Sequence, residues 1–257
     1  MAAKPSVTVI IPALNEEKTI VQTVLESMKS ANVDEVIVVD DKSTDGTAEL
    51  ARRAGARVLT CETRGKGSSM RDGFIAAKGS IIVFVDADIR TFSTAMVDAI
   101  TKPIINGRCD FVKSSYGRMS GRVTELLCKP MLSELFPSLV SFRQPLSGII
   151  AGKKRFFNNV MFENDYGVDV GILIDMVNSG ARIMEVDIGY VDHKMKSWRG
   201  LGRMANDVAK SILKRASMTN QMVQNGIFAE ASIIKGMLDK GPEIVFPMEK
   251  VRLFEST

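Results

Sequence analysis

Residues 81–88 read Ile81-Ile82-Val83-Phe84-Val85-Asp86-Ala87-Asp88, five apolar residues followed by two carboxylates spaced by one. A short, continuous apolar run suits a strand buried on both faces, as in a parallel sheet covered by helices. The chain upstream repeats the pattern. Val7-Thr8-Val9-Ile10-Ile11 is a β-branched run stopped by Pro12, and Val36-Ile37-Val38-Val39 is another, ending in Asp40-Asp41. Between them, Ile20, Val21, Val24, Leu25 and Met28 recur at helical spacing. Ser43 or Thr44 caps a helix through Arg53, Gly55 stops it, and Arg57-Val58-Leu59 returns as a strand. A further helix from about Gly67 to Ala77 leads back into Ile81. This alternation predicts an α/β fold, a mostly parallel Rossmann-like sheet with helices on both faces.

In such sheets ligands bind outside the carboxyl ends of the strands. The polar clusters fall there: Pro12 to Glu16, Asp40 to Thr47, and Asp86 to Asp88. The second half is less regular. Residues 117–121 form a glycine-flanked polar loop, and about Arg122 to Leu135 is helical until Pro137. Gln144 to Gly152 and Arg182 to Tyr190 have strand character, whereas Val168 to Val177 and Leu201 to Ala216 have helical spacing. Three segments follow: 1–115 as the regular half, 116–224 as the less regular half of the same domain, and 225–257 as a tail. The tail's apolar clusters, separated by Gly241-Pro242 and Pro247, suit a dimerisation arm.

Composition narrows the class. The 257 residues are 45% hydrophobic and 25% charged, the balance of a soluble globular protein long enough to fold without disulfides or a structural metal. A net charge of +4 from 34 basic and 30 acidic residues is too small and scattered for a nucleic-acid partner. Cys61, Cys109 and Cys128 are odd in number and lack metal-type spacing, as expected of reduced thiols in or near the core. The start Met-Ala-Ala-Lys-Pro has no apolar region of a signal peptide, and no apolar run approaches the roughly 20 residues that span a bilayer. The expectation is a soluble, cytoplasmic protein without a membrane partner.

Several residue groups carry chemistry. Asp86 and Asp88, leaving a buried strand, can share a hard divalent cation with a diphosphate. In another context Asp88 would merely cap the next helix; its place after the fourth alternating strand favours the cation. Asp40 and Asp41 can accept hydrogen bonds from a base or a ribose, although Ser43 to Thr47 also read as a plain capping turn. Gly65-Lys66-Gly67-Ser68 places a lysine beside a helix N-terminus, a phosphate-contacting arrangement without P-loop spacing. Gly121-Arg122-Val123-Thr124 suits a phosphate or carboxylate, or an exposed helix-capping turn. His193, the one histidine, follows a strand-like segment ending on the same edge, where it can join Asp88 around a divalent ion.

Pro12-Ala13-Leu14-Asn15-Glu16-Glu17, Val39-Asp40-Asp41-x-Ser43-x-Asp45-Gly46-Thr47 and Asp86-x-Asp88 occur in the order of the A-type glycosyltransferase fold and resemble it. Gly121 to Leu126, Phe136-Pro137, Gln144-Pro145-Leu146-x-Gly148, Tyr166-Gly167-Val168-Asp169-x-Gly171 and His193 resemble the retaining glucosyl-3-phosphoglycerate synthases and their mannosyl relatives. The resemblance covers roughly residues 6–215. It implies that Pro12, Ala13, Leu14, Asn15, Glu16 and Ser43 hold the nucleoside, with Asp40, Asp86 and Ala87 beside the nucleotide sugar and Lys66 on phosphate. Asp88 and His193 would hold Mg²⁺ or Mn²⁺, and Gly121, Arg122, Val123 and Thr124 would seat the phosphoglycerate. Leu146, Tyr166 and Asp169 would surround the transferred sugar, completing with Asp86 the catalytic set. Retention would need no protein nucleophile, the donor β-phosphate taking the acceptor hydroxyl proton. Two positions depart from the pattern: Asp169 stands where the glucosyl enzymes imply Glu, and Val191 where an arginine is implied.

The implied activity is metal-dependent hexose transfer, UDP-glucose favoured, to 3-phosphoglycerate, with a homodimer as the expected assembly. Three alternatives stand beside it: a mannosyl enzyme using GDP-mannose, an inverting transferase acting on a polyprenyl phosphate or polysaccharide, and a non-catalytic sugar-nucleotide sensor.

Overall fold

The computed structural model describes residues 5–117, 121–192 and 198–219. Its centre is a seven-stranded sheet: β1 Val7–Ala13, β2 Glu35–Asp40, β3 Arg57–Thr60, β4 Ile81–Phe84, β5 Phe111–Ser115, β6 Ile150–Lys153 and β7 Ile183–Asp187. The strand order is β3-β2-β1-β4-β6-β5-β7. All neighbours run parallel except β6, which is antiparallel to both β4 and β5. The mostly parallel α/β sheet expected from the alternation is therefore observed.

Strand side chains alternate between two cores. Val7, Val9, Ile11, Val36, Val38 and Val83 pack on one face with α1 (Ile20–Met28) and α4 (Thr94–Ile105). Ile10, Ile37, Val39, Ile82, Phe84 and Phe111 pack on the other, against α3 (Lys66–Ala76), α5 (Lys129–Leu135), α7 (Val168–Asn178) and α8 (Trp198–Met218). The remaining short helices are α2 (Thr47–Arg53) and α6 (Lys154–Phe157). Burial on both faces explains why β1, β2 and β4 are near-continuous apolar runs. Cys61, Cys109 and Cys128 are free and buried, as expected of core thiols.

The departures have local causes. α4 and β5 have no counterpart among the elements expected from the sequence: α4 contains Pro103, although Met96, Val97, Ile100 and Ile104 recur at helical spacing on its buried face, and β5 contains Lys113, Ser114 and Ser115. Those three polar residues are buried, with Lys113 bonded to the Asp169 carbonyl and Ser114 to Ser147. Residues 144–149 form a loop, not the strand expected from Gln144 onward; Pro145 and Gly148 interrupt it, and β6 begins only at Ile150. The helical stretch ending at Leu135 contains a π-helical turn over Thr124–Cys128, with the Lys129 amide bonded to the Thr124 carbonyl. Pro130 has no N–H to continue the ordinary ladder, so the register slips by one residue. Residues 225–257 and their expected dimer contacts lie outside the described residues.

The sheet's far end is held by charge. Asp110, 4% exposed, receives Arg182 at 2.8 Å and Lys153 at 2.6 Å. Arg182 foremost, then Lys153, holds its carboxyl below the ordinary carboxylate range. A depressed folded pKa contributes stability that is present above the unfolded value near ~3.9 and lost as pH falls through the folded one. Asp110→Asn should therefore cost about 2 kcal/mol at neutral pH and flatten the acid limb of a Tm-versus-pH curve.

Candidate active site

Sheet topology converges the functional segments on one rim. β1, β2 and β4 deliver the residues at and just beyond their carboxyl ends: Pro12 to Glu16, with Pro12 and Ala13 still paired to β2, then Asp41 and Asp86 to Asp88. The antiparallel β6 delivers those that precede it, because Ile150 pairs with Phe84 at the end of β4. Leu146, Ser147 and Gly148 thereby face the Asp86 turn. β5 and β7 run parallel with Ser115 opposite Asp187, bringing Tyr116 and Val191 to the same edge.

A cavity of about 1050 Å³ opens there. Its walls carry Pro12, Ala13, Leu14, Glu16, Lys66, Asp86, Ala87, Asp88, Gly121, Arg122, Val123, Thr124, Leu146, Tyr166 and Asp169. These come from segments as far apart as residues 12 and 169, and the fold brings them together. Asn15, Asp40 and Ser43 do not share the wall. The Asn15 amide donates to Ser43 Oγ at 2.9 Å, and Asn15 Oδ1 accepts the Thr44 amide at 2.8 Å. Asn15 adopts a left-handed φ of 57° to make this exchange, a conformation that asparagine tolerates. Asp40 is 5% exposed and accepts the Ser43 amide, so it closes the second turn. The neighbouring Asp41 lines the cavity instead, since successive side chains at a strand end point to opposite sides.

The charged centre is a triad. Lys66 Nζ lies 2.7 Å from Asp86 Oδ1 and 2.8 Å from Asp169 Oδ2. Burial alone would lower the lysine pKa, but Asp169 and Asp86 together hold it above its ordinary value. Burial raises the Asp169 carboxyl, Lys66 pulls it down, and Asp86 raises it again, for a net upward shift. Asp169 Oδ1 is buried without a hydrogen-bond partner among the described residues, an acceptor suited to a ligand hydroxyl.

The start of α3 differs from the sequence expectation. Gly67 and Ser68 amides both donate to the Asn164 carbonyl, at 3.2 and 3.4 Å, and the Gly65 amide donates to Asp41. Protein acceptors thus take the Gly65, Gly67 and Ser68 amides at this helix start, while the Lys66 side chain reaches the cavity wall. The packing is tight: a Cβ on Gly67 would sit 1.6 Å from the Glu163 carbonyl oxygen. Arg215, 2% exposed, braces this loop through Glu163, the Met161 carbonyl and Asp175.

Gly148 also lacks room for a side chain. A Cβ there would lie 2.4 Å from both Asp86 carboxylate oxygens and 2.6 Å from Lys66 Nζ. Those are mobile tips, not backbone, so the fold can accommodate Gly148→Ala by displacing the ion pair. The variant should keep its Tm within about 3 °C and lose about 10²-fold in kcat/KM, read by thermal melting beside a steady-state assay.

Asp86 and Asp88 offer oxygen ligands of the kind Mg²⁺ and Mn²⁺ prefer. The Arg90 amide donates to the Asp192 carbonyl at 2.9 Å, and the Asp192 amide to Thr91 Oγ1 at 3.0 Å. The residue preceding His193 is therefore tied to the chain two residues beyond Asp88. His193 itself lies outside the described residues. The donor set and this tether fit a divalent ion at Asp88. Val191, 2% exposed, forms an apolar part of the cavity wall where an arginine was implied.

Tyr116, Met204 and Lys113 had escaped the motif reading. Tyr116 and Met204 line the cavity, and Lys113 is wholly buried behind Asp169. A lysine inside Phe111-Val112-Lys113 was the one available signal.

Known proteins match this arrangement. Residues 8–124 match the family described as Glycosyl transferase family 2. The glucosyl-3-phosphoglycerate synthase of Mycobacterium tuberculosis is 33% identical, over 85% of this chain and 76% of that protein. That of Petrotoga mobilis is 32% identical, over 81% and 73%. The crystal structure of the M. tuberculosis enzyme with Mn²⁺, UDP-glucose and phosphoglyceric acid superposes with a TM-score of 0.79 at 34% identity, covering 82% of this chain and 80% of that one. Its complex with Mg²⁺ and UDP gives 0.78 at 34% identity, covering 82% and 79%. By its rim chemistry, its sheet and these relatives, the chain belongs to the glucosyl-3-phosphoglycerate synthase family of glycosyltransferases.

Proposed function

We propose that this protein transfers glucose from UDP-glucose to the hydroxyl of 3-phosphoglycerate, with retention at the anomeric carbon and with Mg²⁺ or Mn²⁺ bound. The observation that supports this reading is one cavity whose wall brings together Lys66, the Asp86 and Asp169 carboxylates paired with it, and the arginine-bearing segment from Gly121 to Thr124.

Pro12, Ala13, Leu14 and Glu16 line the nucleoside end, and Lys66 faces the diphosphate. Asp88, with His193, would hold the divalent ion, whose chemistry when bound is to offset charge on the departing UDP. Asp169 presents Oδ1 to a sugar hydroxyl while Lys66 restrains Oδ2. Leu146 and Tyr166 close around the sugar and exclude water. Gly121, Arg122, Val123 and Thr124 seat the phosphoglycerate, the arginine by charge-assisted bonds. With Lys66 holding Asp169, the work of the protein is positioning and electrostatics: the acceptor is held on the face the diphosphate leaves, whose oxygen takes its proton.

The first half of the chain (residues 1–115) serves the donor and residues 116–224 the acceptor. No helix among the described residues is long and apolar enough to cross a membrane. The same reading places the protein in the cytoplasm as a homodimer, with residues 225–257 as the arm.

The test is product formation from UDP-glucose, GDP-mannose and ADP-glucose with 3-phosphoglycerate, with Mg²⁺ or Mn²⁺ and with EDTA. The expected product is α-linked and metal-dependent, with UDP-glucose the best donor. A β-linked product by NMR points to the inverting alternative, and no transfer from any donor overturns the acceptor assignment.

A further inference from the structure

Lys113 lies in the middle of β5 with no solvent exposure. Burying an ammonium group is unfavourable, and an apolar side chain of equal length would suit the strand better. Its Nζ donates to the backbone carbonyl of Asp169 at 3.0 Å. Asp169, itself 1% exposed, is the second residue of α7 and shares Lys66 with Asp86. With only Lys66 present, that group would hold two carboxylates against one cation in a low-dielectric pocket. Lys113 restores neutrality and pins the helix turn that carries Asp169.

We propose that Lys113 is a positioning residue for the sugar end of the donor site, holding in place the turn of α7 that carries Asp169. This inference rests on the proposed role of Asp169 at the transferred sugar. The groups facing Lys113 are Asp169, Lys66, Cys128 and Asp86, two anions, one cation and one thiol. Burial lowers its ammonium to about 8, Asp169 opposing, so it remains charged at neutral pH. The Cys128 thiol is pushed up to about 12 by burial and stays neutral, leaving the two carboxylates as the balancing charges.

The role predicts a defect confined to the sugar. Calorimetry with Mn²⁺ compares UDP and UDP-glucose binding to wild type, Lys113→Met, Asp169→Asn and the double variant. Lys113→Met should bind UDP within about twofold of wild type, while the UDP-glucose to UDP affinity ratio falls about tenfold. Asp169→Asn should show a similar fall, and the double variant should add almost nothing to it. Lys113→Gln carries the same comparison if the methionine variant melts below the assay temperature. Equal losses for UDP and UDP-glucose, or a full further loss in the double variant, overturn the role. An unchanged ratio in a protein that still makes product overturns it and spares the proposed function. A wild type without affinity for any sugar nucleotide overturns both.

Discussion

Lys66→Met should lower kcat/KM for hexose transfer about 10³-fold, the largest single-residue loss expected outside the metal ligands. Two losses combine. The diphosphate loses the side chain directed at it, and Asp86 and Asp169 are left facing each other without a shared cation. Two carboxylates in that position cannot both stay ionised, so the more buried Asp169 takes up a proton. Its remaining acceptor oxygen then no longer meets the sugar as an anion.

The change also has a stability signature. In the folded variant the Asp169 pKa rises further above its unfolded value. A raised folded carboxyl pKa contributes stability that is present below the unfolded value, near ~3.9, and lost as pH rises through the folded value. The Tm of Lys66→Met should therefore fall more steeply than that of wild type as pH is raised from about 4 toward neutrality. A variant with normal kcat/KM, or with a Tm curve parallel to wild type, contradicts the triad.

Asp88→Asn should cost about as much, by a different route. The amide keeps the size and one acceptor oxygen but removes the negative charge that a hard divalent cation requires. A loss of about 4 kcal/mol of charge stabilisation corresponds to roughly 10³-fold in rate. The variant should bind UDP no better with Mn²⁺ than with EDTA, whereas wild type should bind it tighter with the metal. Calorimetry separates the two cases without turnover. Undiminished Mn²⁺ dependence of UDP binding in Asp88→Asn would remove Asp88 from the metal site.

Much of this site was legible because its segments are local and repetitive. The apolar runs ending at Ile11, Val39 and Val85 announce buried parallel strands, and the polar residues just beyond them fall at the edge where such sheets bind ligands. Leu146 and Tyr166 were reachable only through motif resemblance, since a leucine in a loop carries no chemistry by itself. The charge arrangement was not legible at all. Lys66 meets Asp169 across 103 residues and Lys113 meets it across 56, separations that no periodicity records.

The amino-acid order by itself determined the α/β class, the alternation of elements and the two Asp-rich turns, because side-chain period and turn chemistry are properties of neighbouring residues. Tertiary structure alone decided that β6 enters antiparallel and carries Gly148 against Asp86. It also turned Asn15, Asp40 and Ser43 toward one another, not into the cavity, and gave the α3 amides to Asn164 and Asp41. Those outcomes depend on which distant groups compete for each hydrogen bond and charge inside a low-dielectric interior, and that competition exists only once the chain has folded.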